Sequence, residues 1–312
     1  MKVFTGNANV ELAREICEYL DLPLGAATVG RFPDGEIRVK VEEDVRGKDV
    51  FIVQPTCPPK TNDYIMELLL MMDSCRRSSA NAITAVIPYY GYARQDRKEE
   101  GRVPISSKLV ANLIGAAGAD RVVTMDLHSS QIQGFFDIPV DHLYAAPVLY
   151  RHFRKINRSK LVVCSDDGSV KMGMAHSQRI GVPLAVYGKR RISPTEVEVH
   201  SLIGDVKGKD VLIIDDVITT MGSIYAAARF LKDRGAEAIH VGATHGAFCG
   251  DSLERLKDPA ITEVAVTNTV PVSAEAVERG VKVLSVSEIL GEAMKRIHEK
   301  RSVSSLFQWN NQ

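Results

Sequence analysis

The sequence predicts an α/β fold made of two similar doubly wound domains with parallel sheets, and three observations predict it. Short apolar runs alternate with stretches of helical periodicity along the chain, as in a sheet whose strands are joined by helices. The runs are continuous rather than alternating, which is typical of parallel strands covered by helices on both faces. Finally, a segment in the first half of the chain is echoed in the second half.

Ten short runs rich in apolar and β-branched residues predict the strands. In chain order they are KVFTG, DVFIVQPT, AITAVIPYY, RVVTMDLH, LVVCSDD, PLAVYGKR, DVLIIDD, AIHVGATH, EVAVTNT and VKVLSVS. Two of the connections have clear helical periodicity, NDYIMELLLMMDSCRRSSA at 62–80 and SIYAAARFLKDRGA at 223–236. The second of these ends on a glycine stop signal.

The internal echo predicts a duplicated domain. VRGKDVFIVQPT at Val45–Thr56 resembles VKGKDVLIIDDV at Val206–Val217, and ANAI at Ala80–Ile83 then resembles AEAI at Ala236–Ile239. The same order with slightly different offsets is what changes in loop length would produce. Chance similarity between two βα units is the alternative.

The length of 312 residues leaves room for two domains. We place the boundary around the segment YAAPVLYRHFRK, and a basic and then serine-rich stretch follows the last predicted strand. We therefore expect one domain at 1–147, a second at 148–290 and a tail at 291–312 that packs back near a subunit interface.

The composition is that of a globular protein with reduced thiols. Hydrophobic residues make up 45% of the chain and charged residues 25%, and the formal net charge is zero. Zero net charge gives no argument for binding to nucleic acid or membranes, and no apolar run reaches the roughly 18 residues of a membrane span. The five cysteines stand singly, so neither a zinc site nor a disulfide framework is indicated. We expect a cytoplasmic protein that binds neither nucleic acid nor membranes.

The most informative stretch is VLIIDDVITTMGS at Val211–Ser223, where an apolar run ends in two acids and a polar loop leads into a helix. Ligands of open parallel sheets bind beyond the carboxyl ends of the strands. Asp215 and Asp216 can hold sugar hydroxyls, and the N–H groups and hydroxyls of Thr219–Ser223 can hold a phosphate at the helix start. The pattern therefore indicates a sugar-phosphate site. A helix cap behind two solvated acids is the alternative.

Four further motifs follow predicted strands or turns. In TMDLH, Asp126 and His128 are two residues apart and so on one strand face, where they can bind a divalent metal, although a lone histidine is more often structural. Cations follow strands in IPYYGYARQDRKEEGR at Ile87–Arg102 and in YGKRR at Tyr187–Arg191, where they suit phosphate groups or simply a solvated loop. In RFPDGEIRV, PDG signals a turn beside Phe32, which can stack on a base or lie in the core.

In this order and spacing, the motifs resemble the ribose-phosphate diphosphokinases, also called phosphoribosyl-pyrophosphate (PRPP) synthetases. DLHSSQIQGFFDIPVD at Asp126–Asp141 resembles the most specific signature of that family, FPDGE and YGYARQDRK are close matches, and the similarity extends from FTGNAN to SVSSLF. The chain is most similar to the phosphate-dependent class I. The resemblance implies phosphoribosyltransferase-like domains and a homohexamer. It also implies transfer of the β,γ-diphosphoryl group of ATP to the C1 hydroxyl of ribose 5-phosphate, which gives PRPP and AMP for nucleotide biosynthesis.

The same resemblance implies roles for individual residues. For ATP binding it implies Phe32, Asp34, Gly35, Glu36, Arg94 and Gln95, partly from a neighbouring subunit. For ribose 5-phosphate it implies Arg191, Asp215, Thr219, Thr220, Met221, Gly222 and Ser223. Lys189 and Arg191 would be catalytic, on a mobile loop that closes over the transferring group, and His128 and Asp166 would bind Mg²⁺. Inorganic phosphate would be an activator, bound in the region of Arg46, Arg77 and the run Ser302–Phe307. The alternative for this serine-rich run is that it is simply a frayed chain terminus.

Three departures from the family pattern concern the expected site. Met221 stands where Gly, Ala or Cys is usual, Asp167 stands at an apolar position, and Gly188 replaces the usual Asp before Lys189. The first bears on how tightly the loop holds a phosphate, and the second adds a carboxylate beside the expected metal ligand. None of them removes a residue on which the implied reaction depends.

Two other functions remain open at this point. A non-catalytic regulatory paralogue would bind catalytic PRPP synthetase subunits on the same fold, but the Lys-Arg-Arg group, His128 and the ARQ motif favour an enzyme. A phosphoribosyltransferase would account for DDVITTMGS but not for FPDGE and YARQDR. Dependence on ATP with release of AMP distinguishes the three functions.

Overall fold

A computed structural model describes residues 1–193 and 196–307 of the chain, which divide into two units. Unit 1 contains residues 1–144, 269–271 and those after 284, and unit 2 contains residues 145–268 and 272–284. Within the described residues, no helix is both long and apolar enough to cross a membrane.

Unit 1 is built on a five-stranded parallel sheet. In pairing order its strands are β1 (Lys2–Thr5), β4 (Asp49–Val53), β5 (Ala82–Ile87), β6 (Arg121–Met125) and β7 (Val140–Leu143). A separate antiparallel hairpin consists of β2 (Ala27–Arg31) and β3 (Ile37–Val41). The helices within residues 1–144 are α1 (Val10–Leu20), α2 (Thr61–Arg77) and α3 (Ser106–Ala117), and a 3-10 turn spans Ser130–Phe135.

The core of unit 1 follows from the helix periodicity. On α2, the side chains Ile65, Leu68, Met72 and Cys75 recur at helical spacing and are buried against the sheet. The apolar stripe on α2 therefore fixes which face of α2 covers the strands.

The α1 helix begins where the side chain of Asn9 accepts a hydrogen bond from the Leu12 N–H at 3.2 Å, as a helix N-cap does.

Unit 2 contains a seven-stranded sheet. In pairing order its strands are β10 (Glu196–Ile203), β9 (Leu184–Ser193), β8 (Leu161–Asp166), β11 (Asp210–Ile218), β12 (Ala238–Gly246), β13 (Glu263–Thr267) and β14 (Lys282–Leu284). Its helices are α4 (Ala146–Phe153), α5 (Val170–Ile180), α6 (Gly222–Asp233), α7 (Ser252–Arg255) and α8 (Ala274–Glu278). All neighbours pair in parallel except β10, which is antiparallel to β9.

The last helix, α9 (Ser287–His298), belongs to unit 1 and runs across the boundary expected at residue 290. It packs on α1, where the Tyr19 hydroxyl donates a hydrogen bond to Glu292 at 3.2 Å and the ring lies against Gly291. A side chain at position 291 would meet the Tyr19 ring at 2.5 Å, so the close approach of the two helices requires glycine there.

The two units share one topology. The order β1-β4-β5-β6-β7 in unit 1 matches β8-β11-β12-β13-β14 in unit 2. In both units an antiparallel hairpin, β2–β3 or β9–β10, comes between the first and second strands of that series along the chain. The two segments of the internal echo fall on β4 and β11, which are equivalent in this order. The fold class predicted from the sequence, two similar α/β domains with parallel sheets, is thereby confirmed.

Four strands differ from the sequence prediction, which did not include β2, β3, β7 or β10. The predicted strand PLAVYGKR ends at Arg190, but β9 continues to Ser193 and pairs with β10. The segment EVEVHSLI forms the partner strand β10, because it alternates polar and apolar residues as an edge strand with one solvent-exposed face does. Arg190 and Glu198 lie opposite each other in this ladder and form an ion pair at 3.0 Å.

The expectation that Asp126 and His128 share one strand face was wrong. The strand β6 ends at Met125, and Asp126 has a φ of 37°, in the left-handed region that non-glycine residues rarely adopt. Alternation of side chains across a strand therefore does not extend to these residues.

The side chain of His176 on α5 makes unit 2 sensitive to acid. Its ring contacts the Tyr150 hydroxyl of α4, and burial, with a smaller effect of Arg179, lowers its pKa from 6.5 to about 4. In the unfolded chain the ring takes up a proton near pH 6.5, whereas in the folded chain it stays neutral down to about pH 4. The free energy of unfolding should therefore fall as pH drops through that window, by roughly 3 kcal/mol in total.

Urea denaturation at a series of pH values between 7 and 4 measures this effect. A His176→Phe variant should lose roughly 3 kcal/mol less than the wild-type chain across that range. Parallel pH profiles for the two proteins would contradict the assignment.

Candidate functional site

The strand order of unit 2 brings several predicted residues to one edge. The chain runs from β8 to β9 on one side and later to β11 on the other, so the order reverses between β8 and β11. Ligands of open α/β sheets bind at such a switch point, beyond the carboxyl ends of the strands. Asp166 is the last residue of β8, and Asp215 lies near the end of β11, the strand next to it.

The Asp166 carboxylate is only half satisfied. Its side chain is buried, and Oδ2 accepts a charge-assisted hydrogen bond from the Lys189 ammonium group. Its other oxygen, Oδ1, is buried and has no hydrogen-bond partner among the described residues. A buried carboxylate oxygen without a donor is costly, and it is also the ligand that Mg²⁺ prefers. The residue therefore fits the role of a metal ligand that the resemblance implied.

The position of Lys189 follows from strand pairing. In the β8–β9 ladder, Asp166 lies opposite Tyr187, and Lys189 is two residues further along the same strand. Alternation along a strand puts Tyr187 and Lys189 on the same face. Arg191 follows in the same strand, but its side chain lies outside the described part of the chain.

Asp215 is the acid whose ionisation is most strongly affected. Burial raises the pKa of its carboxyl well above the usual value, and the charge and hydrogen bond of Asp216 and the charge of Asp166 act in the same direction. A hydrogen bond from the Asp216 N–H at 2.8 Å opposes this effect only in part. A carboxyl group that keeps its proton to higher pH can both donate and accept hydrogen bonds, as recognition of adjacent hydroxyls requires.

The loop Thr219–Ser223 connects β11 to α6. The Thr219 carbonyl accepts a hydrogen bond from the Cys249 N–H at 3.0 Å, and the Thr220 carbonyl accepts one from the Arg255 guanidinium at 2.8 Å. The carbonyl groups of the loop are thus bound within the unit, while α6 begins without a side-chain cap on its first N–H groups. Uncapped N–H groups at a helix start are an anion site.

The Met221 side chain does not obstruct this loop. It is 3% exposed and packs in the apolar core of unit 2 near Ile224. Its φ of 59° lies in the left-handed region, so the backbone turns sharply there while the side chain points into the core. The Met221 side chain therefore anchors the loop to the core of unit 2.

The turn of the β2–β3 hairpin carries Phe32, Asp34, Gly35 and Glu36. The Phe32 side chain is 45% exposed, which excludes it from the core, and the Arg38 guanidinium lies 5.8 Å from its ring centroid. The Glu36 N–H donates to the Asp34 carboxylate at 3.1 Å, and Gly35 adopts a φ of 95° that favours glycine. The hairpin therefore presents an exposed aromatic face beside two acids.

Arg94 and Gln95 lie in the segment that follows β5. The Gln95 backbone is held from both sides, because its N–H donates to the Tyr92 carbonyl at 2.9 Å and its carbonyl accepts from the Ser107 N–H at 3.2 Å. Arg94 is exposed beside it. The guanidinium is thus displayed on a segment whose backbone is anchored to α3.

His128 is exposed in the segment after β6, and β7 holds that segment in place. The Asp126 N–H donates to the Leu143 carbonyl at 3.0 Å, and the Leu127 N–H donates to Nε2 of the buried His142 at 2.9 Å. The sequence prediction missed His142, because β7 has no strong strand signal.

The expected residues of unit 2 therefore come together, whereas those of unit 1 lie on three separate segments, the β2–β3 turn, the loop after β5 and the loop after β6. Among the residues that the structure describes, no three His, Cys, Asp or Glu side chains form a metal-binding group. Mg²⁺ characteristically takes only one or two protein ligands and completes its shell with phosphates and water.

Comparison with known proteins adds to the geometry. Residues 1–118 match the model of the N-terminal domain of ribose phosphate pyrophosphokinase, and residues 189–308 match that of the phosphoribosyl synthetase-associated domain. A ribose-phosphate pyrophosphokinase of Rhodopirellula baltica is 54% identical over 98% of both chains, and one of Rhizobium meliloti is 51% identical over 98% of this chain and all of its own. The crystal structure of phosphoribosylpyrophosphate synthetase from Mycobacterium smegmatis matches 96% of this chain and 99% of its own, with 40% identity and a TM-score of 0.89.

The anchoring role of Met221 predicts a stability effect. Met221→Ala removes a buried side chain from the core of unit 2 and should lower the free energy of unfolding by about 2–4 kcal/mol. Met221→Leu keeps the apolar volume and should cost less than about 1.5 kcal/mol. Urea denaturation of both variants checks this, and equal stabilities for the two would show that the side chain is not a core anchor.

Proposed function

The chain belongs to the ribose-phosphate pyrophosphokinase family, and we propose that it transfers the β,γ-diphosphoryl group of ATP to the C1 hydroxyl of ribose 5-phosphate, forming PRPP and AMP. The identity of about 50% to curated relatives extends over 98% of the chain and over 93% or more of those relatives. The observation that carries the proposal is the edge of unit 2, where the Asp166–Lys189 pair, Asp215 and the uncapped start of α6 lie together.

Recognition of the sugar phosphate rests on β11 and the loop after it. The N–H groups and hydroxyls of Thr219–Ser223 hold the 5-phosphate at the start of α6, where the helix dipole favours an anion. Asp215 binds the ribose hydroxyls, and its raised pKa allows it to donate as well as accept. Binding at these two points fixes the sugar and so limits the positions open to its C1 hydroxyl.

Lys189 and Arg191 supply positive charge to the transferring group. Attack of the C1 hydroxyl oxygen on the β-phosphorus breaks the bond between that phosphorus and the oxygen it shares with the α-phosphate. AMP leaves with that oxygen, and the hydroxyl proton is released to solvent. Negative charge that builds on the phosphoryl oxygens is stabilised by cations placed in advance. Lys189 contacts Asp166, which holds its ammonium group at the edge of unit 2 where this charge is proposed to develop.

We propose His128 and Asp166 as ligands of Mg²⁺. When bound, this ion neutralises phosphate charge and orients the diphosphoryl group. The fit rests on the exposed ring of His128 and on the buried, unpartnered Oδ1 of Asp166. Asp167 stands directly beside the second of these and adds a further carboxylate.

The nucleotide is bound by residues of unit 1. The exposed Phe32 ring stacks on adenine, while Asp34 and Glu36 accept hydrogen bonds from the nucleoside. Gly35 allows the tight turn between these acids, and Arg94 with Gln95 contacts the nucleotide from the anchored segment after β5.

Assembly and regulation are proposed from the resemblance to class I enzymes. We propose a homo-oligomer, most simply a hexamer, with inorganic phosphate as an activator and a cytoplasmic location. In unit 1, Arg46 donates to Ser79 at 3.2 Å and Arg77 donates to Asp73 at 2.7 Å. The Ser302 carbonyl accepts from Arg296 at 3.1 Å, while the side chains of Ser305 and Phe307 lie outside the described part.

Phosphorus NMR of the purified chain with Mg-ATP, ribose 5-phosphate and inorganic phosphate tests the reaction. AMP should appear in step with a sugar-linked diphosphate. Formation of ADP would mean transfer of a single phosphoryl group and would overturn the proposal. Binding of ATP without turnover would support the regulatory paralogue. The curated relatives carry the name of an enzyme, which favours the catalytic function.

Replacement of Lys189 separates chemistry from sugar binding. Lys189→Ala should lower kcat by about 100-fold or more, because it removes charge that stabilises the transition state. The KM for ribose 5-phosphate should stay within about twofold, because the loop after β11 is intact. Lys257→Ala, which removes an exposed cation paired with Glu254 elsewhere in unit 2, is the matched control and should behave as wild type. A kcat for Lys189→Ala close to that of the control would contradict the role.

A further inference from the structure

The duplication raises the question of what occupies the edge of unit 1 that corresponds to the site in unit 2. The strands β1 and β4 of unit 1 correspond to β8 and β11. In the internal echo, Gln54 stands where Asp215 stands, and by the strand register Gly6 corresponds to Asp166. The acids of unit 2 thus have no counterparts at these two positions.

A single carboxylate from α2 fills this edge. Glu67 is 6% exposed and accepts hydrogen bonds from the Gln54 amide at 2.7 Å, from the Asn7 N–H at 2.9 Å and from the Asn7 side-chain amide at 2.9 Å. Counted from the first helical residues, Thr61 and Gly222, the equivalent residue of α6 is Ala228, which lies in the apolar core. Glu67 is therefore a buried charge that has no counterpart in unit 2.

The rest of the network is crowded around the Gln54 side chain. Gln54 is fully buried, and its Oε1 accepts a hydrogen bond from the Ala8 N–H at 3.2 Å. A Cβ atom at Gly6 would lie 2.7 Å from the Gln54 side chain, closer than such atoms approach in proteins. The edge of unit 1 is thus closed by its own side chains, in contrast to the half-satisfied Asp166 of unit 2.

The network extends from this edge to the β2–β3 hairpin. The Asn7 side-chain amide uses its second N–H to donate to the Val29 carbonyl of β2 at 3.2 Å. A second tie from α2 is the ion pair between Arg31, the last residue of β2, and Asp63, at 2.5 Å. Both ties act on the strand that leads directly into the turn at Phe32.

We propose that Glu67 is a positioning residue for the nucleotide, acting through Asn7 on the β2–β3 hairpin. This inference rests on the proposed function, since it takes the turn Phe32–Glu36 as part of the ATP site. A two-stranded hairpin is marginally stable alone, so its turn is ordered only as far as the rest of the unit holds it. The buried carboxylate fixes the Asn7 amide, and the amide fixes β2. A turn displaced by even 1 Å would bind ATP poorly.

The test compares Glu67→Ala and Glu67→Gln with wild type in the full-length chain. Both variants should raise the KM for ATP about tenfold, while the KM for ribose 5-phosphate stays within about twofold. Glu67→Gln is informative because the new amide group turns a donor toward N–H groups that all need an acceptor. Hydrogen exchange without ligands should be faster in the backbone amides of β2 and β3 in both variants.

Asn7→Ala provides a second variant should Glu67 variants fail to fold. This variant removes the hydrogen bond to the Val29 carbonyl, while Gln54 still donates a hydrogen bond to the buried Glu67 carboxylate. It should therefore raise both the KM for ATP and the rate of hydrogen exchange in the hairpin, as the Glu67 variants do. Asp120→Ala is the matched control. It removes a carboxylate that accepts a hydrogen bond from the Ile83 N–H at 2.7 Å in the same unit, and it should leave both readouts unchanged.

The outcomes separate this inference from the proposed function. A wild-type chain that forms no AMP would sink the proposed function, whereas the exchange of the hairpin would still report on the network. The positioning role would be overturned if the wild type is active and the Glu67 and Asn7 variants have its KM for ATP and its rates of hydrogen exchange in β2 and β3. Equal losses for both substrates in all variants, the Asp120 control included, would show a general loss of stability instead.

Discussion

The parallel pairing of β8 with β11 is the constraint on which the candidate site depends. These two strands are neighbours in the sheet although an entire helix and a hairpin lie between them in sequence. Parallel pairing aligns their carboxyl ends, so two acids that are distant in the chain stand side by side. The effect of the Asp166 charge on the pKa of Asp215 and the placement of the loop before α6 both follow from this alignment.

The sequence was sufficient for the elements that carry strong local signals. Continuous apolar runs marked the parallel strands, and the echo marked the duplication, because buried strands of both units need the same residue types. The strands β2, β3, β7 and β10 were not found, since they are short or exposed on one face and their pairing depends on partners elsewhere. The extension of β9 to Ser193 likewise exists only because β10 folds back on it.

The candidate site was predicted in the same uneven way. Asp215 and the loop after it form one continuous segment, so the sequence reveals them together. The contact between Lys189 and Asp166 depends on the register of two strands, which no local pattern encodes. The direction of the Met221 side chain depends on one left-handed backbone angle. For Glu67 the only signal was a carboxylate on the apolar face of α2, and its partners come from two other segments.

The crowded contact between Gly6 and Gln54 has a consequence for how the two halves of the chain could have diverged. Restoring an acid at position 6 would require Gln54 to move, and moving Gln54 would take a donor from Glu67. No single replacement can therefore reopen this edge without first passing through a chain with an uncompensated buried group. The three positions are therefore coupled, and this coupling opposes a return of acids to the edge of unit 1, independently of any selection on activity.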